Sequence, residues 1–81
     1  MTTKEIANRL YTIGINVSKD YTGYTETHYD VTIKNPFERL FSTNSAKELK
    51  AWYMKEGFDE EYKSIIKNHG EKARKEIPYW C

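Results

Sequence analysis

The stretch whose reading decides the fold is Ile15-Asn16-Val17-Ser18-Lys19-Asp20-Tyr21-Thr22-Gly23-Tyr24-Thr25-Glu26-Thr27-His28-Tyr29-Asp30-Val31-Thr32-Ile33-Lys34. Side chains of a β-strand point alternately to the two faces of a sheet, so a period of two marks a strand with one buried face. Ile15, Val17, Lys19 and Tyr21 alternate with Asn16, Ser18 and Asp20. Further on, Tyr29, Val31 and Ile33 share one face, while His28, Asp30, Thr32 and Lys34 share the other. Thr22-Gly23 between the two Tyr-bearing runs predicts a tight hairpin turn. Asn35-Pro36 ends the second strand, because proline has no amide to donate to a ladder. A third strand is predicted over Arg39–Thr43, with Leu40 or Phe41 pointing inward.

Upstream, Thr2-x-x-Glu5 is a capping box, in which the hydroxyl takes the amide three residues on and the carboxylate reaches back to the cap amide. It opens a helix over residues 3–13, with Ile6, Ala7, Leu10, Tyr11 and Ile13 inward and Gly14 as the stop. Downstream, Ser45-x-x-Glu48 opens a second helix, with Leu49, Trp52, Tyr53 and Ala46 on one stripe, closed by Gly57. Asp59 is expected to cap a third helix carrying Tyr62, Ile65, Ile66 and His69 up to Gly70. The charged stretch Glu71–Ile77 is expected to form a last short helix before Pro78 and the aromatic tail Tyr79-Trp80-Cys81. That tail is expected to dock back on the body. The result is an α+β fold: one domain over 1–81, a three-stranded antiparallel β-meander with an N-terminal helix and two to three C-terminal helices, in the order α-β-β-β-α-α. With helices covering the apolar face of the sheet, its other face stays open.

Composition narrows the function. Thirteen Lys and Arg stand against twelve Asp and Glu, a net charge of +1, and no segment is strongly basic. Proteins that grip phosphates usually present a basic face, so nucleic-acid binding is disfavoured. No apolar run approaches the ~20 residues of a membrane span, and the N-terminus lacks the basic-then-apolar pattern of a leader, so a cytoplasmic location without membrane contact is expected. The single cysteine, Cys81, has no second thiol for a disulfide or a shared metal.

No catalytic spacing is found: there is no G-x-S-x-G, no phosphate-cradling glycine loop and no H-E-x-x-H. His28 and Asp30 lie two apart on one strand face, where both could reach one ion, but the spacing supplies no further ligand and His69 is the only other imidazole. They read as a solvated strand face. Glu60 and Glu61 read as first-turn acids favoured by the helix dipole. Lys72, Arg74 and Lys75, flanked by glutamates, read as a solvated face too. The chain is expected to be no enzyme and to need no cofactor or metal.

The order α-β-β-β-α over roughly residues 3–56 is similar to that of the double-stranded-RNA-binding domain. That family opens its last helix with a lysine cluster on the phosphates; the corresponding Ser45-Ala46-Lys47-Glu48-Leu49-Lys50 keeps two lysines and inserts a glutamate. The resemblance implies a nucleic-acid-binding alternative; separately, a three-stranded sheet can enter the major groove of DNA, where the strand faces would offer Asn16, Ser18, His28, Thr32 and Lys34, with Asp20 and Asp30 repelling phosphate.

The preferred expectation is a protein-binding module. Tyr21, Tyr24 and Tyr29 are expected to cluster about the hairpin with at least one ring exposed, and Tyr is favoured at binding hot spots for its rigid, amphipathic contact area. Asp20, Tyr21, Tyr24, Glu26, His28 and Asp30 are the expected partner-binding residues. Small acidic and aromatic domains of this kind are common among phage and mobile-element inhibitors of host proteins. Asp20, Glu26, Asp30 and Glu38 would then compete for basic residues of a nucleic-acid-handling partner.

Overall fold

Why the chain folds around residues 15–34 is visible in its register. The computed structural model describes residues 1–21, 27–34 and 37–77, with the backbone alone for Tyr21 and Lys34. Its elements are α1 (Thr3–Thr12), β1 (Asn16–Tyr21), β2 (Thr27–Lys34), β3 (Phe37–Thr43), α2 (Ala46–Lys55) and α3 (Phe58–His69), followed by a single 3-10 turn at Glu71–Ala73. This is the α-β-β-β-α-α order expected of the sequence. The strands lie in the order β1-β2-β3, all antiparallel. Val17 faces Val31 and Lys19 faces Tyr29 across β1 and β2, so the apolar alternation of both strands falls on one side.

Onto that side pack the helices. Ile6, Ala7 and Leu10 from α1, Leu49 and Tyr53 from α2, and Ile15, Val17, Tyr29 and Val31 from the sheet region form one core. Tyr11, expected inward with them, is half-buried and outside that cluster, and Ala46 is exposed. His69, at the end of α3, is exposed as well.

The third strand begins two residues earlier than expected and carries a bulge. Val31 pairs with Phe41 and Thr32 with Arg39, so Leu40 is an extra residue in β3. A bulge breaks the two-residue alternation. Phe37 and Arg39 therefore share the open face, whereas Phe41 and Thr43 point to the helices. Leu40 and Phe41 are both half-buried against the core, which resolves the choice the sequence left between them. Phe41 stacks on Trp52, with ring centroids 5.0 Å apart, and Trp52 meets Phe58 at 5.1 Å.

Both capping boxes form in their first half only. Thr2 Oγ1 accepts from the Glu5 amide and Ser45 Oγ from the Glu48 amide. The carboxylates go elsewhere: Glu5 takes Arg9 at 2.9 Å, and Glu48 accepts from the Thr43 hydroxyl, whose oxygen in turn accepts from the Ser45 amide.

Asp59 is not a cap. Gly57, in the left-handed conformation at φ 76°, both closes α2 and precedes α3, which starts at Phe58. That puts Asp59 in the first turn, buried, where Arg9 Nη1 (2.6 Å) and the Tyr53 hydroxyl (2.8 Å) donate to one carboxylate oxygen and Lys63 Nζ lies 3.0 Å from the other. The Arg9 guanidinium lies 5.0 Å from the centroid of the Tyr62 ring, and its Nε is buried without a hydrogen-bond acceptor.

The stretch Glu71–Ile77 is not a helix beyond its 3-10 turn. After Gly70, at φ 75° and ψ 178°, it becomes a strap along α1. The Lys75 amide donates to Thr12 Oγ1 (3.0 Å) and the Ile77 amide to Asn8 Oδ1 (3.1 Å). An extended strap leaves backbone amides unsatisfied unless side chains take them, and Asn8 and Thr12, both buried, do so. Among the described residues no helix is long and apolar enough to cross a membrane.

Candidate functional site on the open sheet face

The register that buries Val17, Tyr29 and Val31 turns their strand neighbours outward. Asn16 faces Thr32, Ser18 faces Asp30 and Asp20 faces His28, with Asp30 opposite Ser42 and Thr32 opposite Arg39 on the far side. The face thus has two ends. Asn16, Thr32, Arg39 and Phe37 lie at one; Asp20 and His28 lie at the other, beside the hairpin connection.

At the hairpin end the groups converge on His28. Its Nδ1 is hydrogen-bonded to Asn44 Oδ1, while Nε2 lies 2.9 Å from Ser42 Oγ and 3.2 Å from Asp30 Oδ1. Asp30 Oδ1 is also 3.4 Å from Arg39 Nε. The acceptor of Asn44, followed by Asp30, stabilises the protonated ring and holds the His28 pKa above its ordinary value.

The chemistry of this cluster follows from what shares Nε2. Ser42, His28 and Asn44 have the order of a nucleophile, a base and an orienting group. A base must present a lone pair to the hydroxyl, yet the Asp30 carboxylate at the same nitrogen favours a proton there. The arrangement suits a cation held between strands, one that bridges β2 to β3, better than proton abstraction from Ser42.

Of the residues expected to bind a partner, His28 and Asp30 are brought together and Asp20 stands across from His28. Asp20 is exposed and, among the described residues, makes no hydrogen bond or ion pair. The side chain of Tyr21, and Tyr24, Glu26 and the Thr22-Gly23 turn altogether, lie outside the described residues. Glu38 does not belong with the other carboxylates: it pairs opposite Ile33, on the helix-bearing side. Ser42, Asn44 and Arg39, missed from the sequence, join the cluster because β3 pairs with β2; the polar run Ser42-Thr43-Asn44-Ser45 was the only signal, and its cross-strand partner was not readable. No group of three or more His, Cys, Asp and Glu placed to hold a metal occurs among the described residues.

Between the ends runs a shallow groove of about 400 Å³, with Asn16, Ser18, Asp20, Thr32, Phe37 and Ile77 on its walls. Phe37 is 71% exposed, more than any other large apolar residue described.

On the helix side, the Asp59 carboxylate is fully engaged. Burial alone would raise the Asp59 pKa, but hydrogen bonds from Lys63, Tyr53 and Arg9 outweigh it and hold the carboxyl below its ordinary range. Burial, reinforced by Asp59, pushes the Tyr53 phenol well up. Both oxygens of the Asp59 carboxylate are thus taken by partners within the cluster. Compared with protein-family models, with curated proteins and with solved structures, the chain finds no match in any of the three.

Proposed function

We propose that this protein is a non-enzymatic binding module that engages a protein partner through the sheet face opposite its helices. The observation that carries the reading is the asymmetry of the sheet: α1 and α2 pack on one face, with α3 against them, while the other presents the exposed carboxylate of Asp20, the His28–Asp30–Arg39 cluster and exposed Phe37. A half-apolar groove with a few placed charges suits a segment that carries a basic side chain next to an apolar one. Asp20 and Asp30 favour that basic group and disfavour a phosphate backbone. A partner that itself handles nucleic acid has such basic residues, and occupying them would block it; inhibition of a host protein by a phage or mobile-element product is the setting this reading fits.

The test is capture from a lysate of the encoding cell's host by the wild type and by the Asp20→Lys, Asp30→Lys double variant, in parallel with duplex DNA and RNA binding at two salt concentrations. Loss of a captured protein in the variant supports the reading. Capture that survives the double substitution, or nucleic-acid binding that falls steeply with salt, overturns it.

A further inference from the structure

Among the described residues of the open face, His28 is the one whose charge changes near neutral pH, and its hydrogen bonds favour one of its two charge states. Asn44 Oδ1 stands at Nδ1, and Asp30 Oδ1 lies 3.2 Å from Nε2. Both oxygens are acceptors, so the ring satisfies both only with a proton on each nitrogen. The neutral ring has one N–H, and the acceptor it leaves then faces a lone pair. Ser42, 2.9 Å from Nε2, fits either state, because a hydroxyl both donates and accepts; an ionised Asp30 only accepts.

The register gives a second, independent observation. Asp20 on β1 is the direct cross-strand neighbour of His28, and Asp30 follows His28 by two residues on the same face of β2. Residues opposed in this way have Cβ atoms about 5 Å apart, so the imidazole stands beside both carboxylates. From β3, the Arg39 guanidinium reaches Asp30 at 3.4 Å, while Ser42 and Asn44 bring no charge. Lys19 pairs opposite Tyr29 and Glu48 bonds Thr43, both on the helix-bearing side. With His28 protonated, two carboxylates are matched by two cations; with it neutral, one carboxylate is in excess. Asp20 is exposed and Asp30 half-buried, so an incoming side chain can reach this pair.

We propose that His28 is a proton-operated competitor for the partner's cation: an arginine or lysine side chain of the partner pairs with Asp20 and Asp30, and its arrival drives the proton off His28. The proposal rests on the protein-binding reading of this face and adds its regulation. A cation held by these carboxylates lies close to the ring and disfavours its charged form, whether or not it displaces the imidazole from Asp30. Coupling between two binding events is reciprocal, so loss of the proton strengthens binding of the cation by the same factor. Binding therefore tightens as pH rises through the His28 midpoint and weakens below it. In the free protein that midpoint lies above the ordinary histidine value, which puts the change close to neutral pH. An anionic ligand would give the opposite sign.

The test uses the full chain and a synthetic peptide, acetyl-Leu-Arg-Phe-Arg-Leu-amide, as the probe. Its Kd is measured by NMR titration at about pH 5.5 and about pH 8, at fixed ionic strength, a window in which the carboxylates stay ionised. Wild type is compared with His28→Gln, whose amide donates and accepts without charge. The expected result for the wild type is a Kd at least about fivefold lower at the higher pH, the low end of couplings between sites. The His28 midpoint should fall in the complex, a measurement that needs no variant, and His28→Gln should bind equally at both pH values. Four results overturn the proposal: a wild-type Kd that ignores pH, a His28 midpoint unmoved by the peptide, a pH dependence that His28→Gln retains, or tighter binding in acid, which assigns the site to an anion. Binding that ignores pH yet is lost in Asp20→Lys, Asp30→Lys removes this proposal and leaves the partner reading standing. A peptide that shifts no resonance of the sheet face at either pH removes both.

Discussion

The two faces of the sheet hold the same chemical ingredients and use them differently. On the helix side, a carboxylate (Asp59), a guanidinium (Arg9) and a hydroxyl (Tyr53) close on one another largely out of water, with Lys63 reaching in from the surface. On the open side, a carboxylate (Asp30), an imidazole and a guanidinium (His28, Arg39) and a hydroxyl (Ser42) do the same at longer distances, half in water. Water decides the difference. Where it is excluded, a missing partner leaves a charge or hydroxyl without compensation; where it is present, solvent replaces what is lost, and the same groups stay available to a ligand.

The largest effect is expected from breaking the buried side. Asp59→Ala leaves Arg9 Nη1 and the Tyr53 hydroxyl without their acceptor and is expected to cost about 3 kcal/mol, read by urea unfolding. Tyr53→Phe removes one donor and keeps the ring, for about 1 kcal/mol. Because the folded Asp59 pKa is lowered, its contribution is present above the unfolded value and is lost as pH falls through the folded one. Wild-type stability should therefore drop in acid, and Asp59→Asn should flatten that limb.

A smaller effect of opposite sign belongs to the open face. His28 has a raised folded pKa, so its contribution is fully present below the unfolded value near 6.5 and fades as pH rises through the folded one. An NMR titration should place the His28 midpoint above 6.5, and Asn44→Ala should bring it down, since Asn44 is the strongest of the groups that raise it. A midpoint unmoved by Asn44→Ala would break the contrast between the faces, because the cluster would then not hold its imidazole. Smallest of all, Phe37→Ser should change unfolding free energy by no more than about 0.5 kcal/mol, as for other exposed positions. A larger loss would mean that the face is covered more firmly than its exposure indicates.

The architecture was legible because each element carries its own periodicity. The alternation of Val17, Tyr29 and Val31 and the helical stripes of Ile6 and Leu10 and of Leu49 and Tyr53 state which side is buried, and the buried apolar residues among those described lie in or beside predicted elements. What was not legible depends on pairs distant in sequence. The bulge at Leu40 shifts Phe37 and Arg39 to one face and Glu38 to the other, and nothing local announces it. Asp59 looks like a helix cap, since only the approach of Arg9, fifty residues earlier, turns it into a buried acceptor. The strap of Lys75 to Ile77 reads as a charged helix because its real partners, Asn8 and Thr12, are polar residues hidden among the apolar ones of α1. The open-face cluster was half legible: His28 and Asp30 stand two apart on one strand, but Ser42 and Asn44 arrive through pairing.

The central claim, that the sheet face opposite the helices is where this protein meets its partner, is tested most directly by the affinity of a captured partner for the Asp20→Lys, Asp30→Lys variant, with Lys63→Glu on the helix side as the control. The account predicts a loss of at least about tenfold for the double variant, as expected when placed charges are reversed in an interface, and little change for the control. Equal affinities for the wild type and the double variant, or a loss confined to Lys63→Glu, would contradict it.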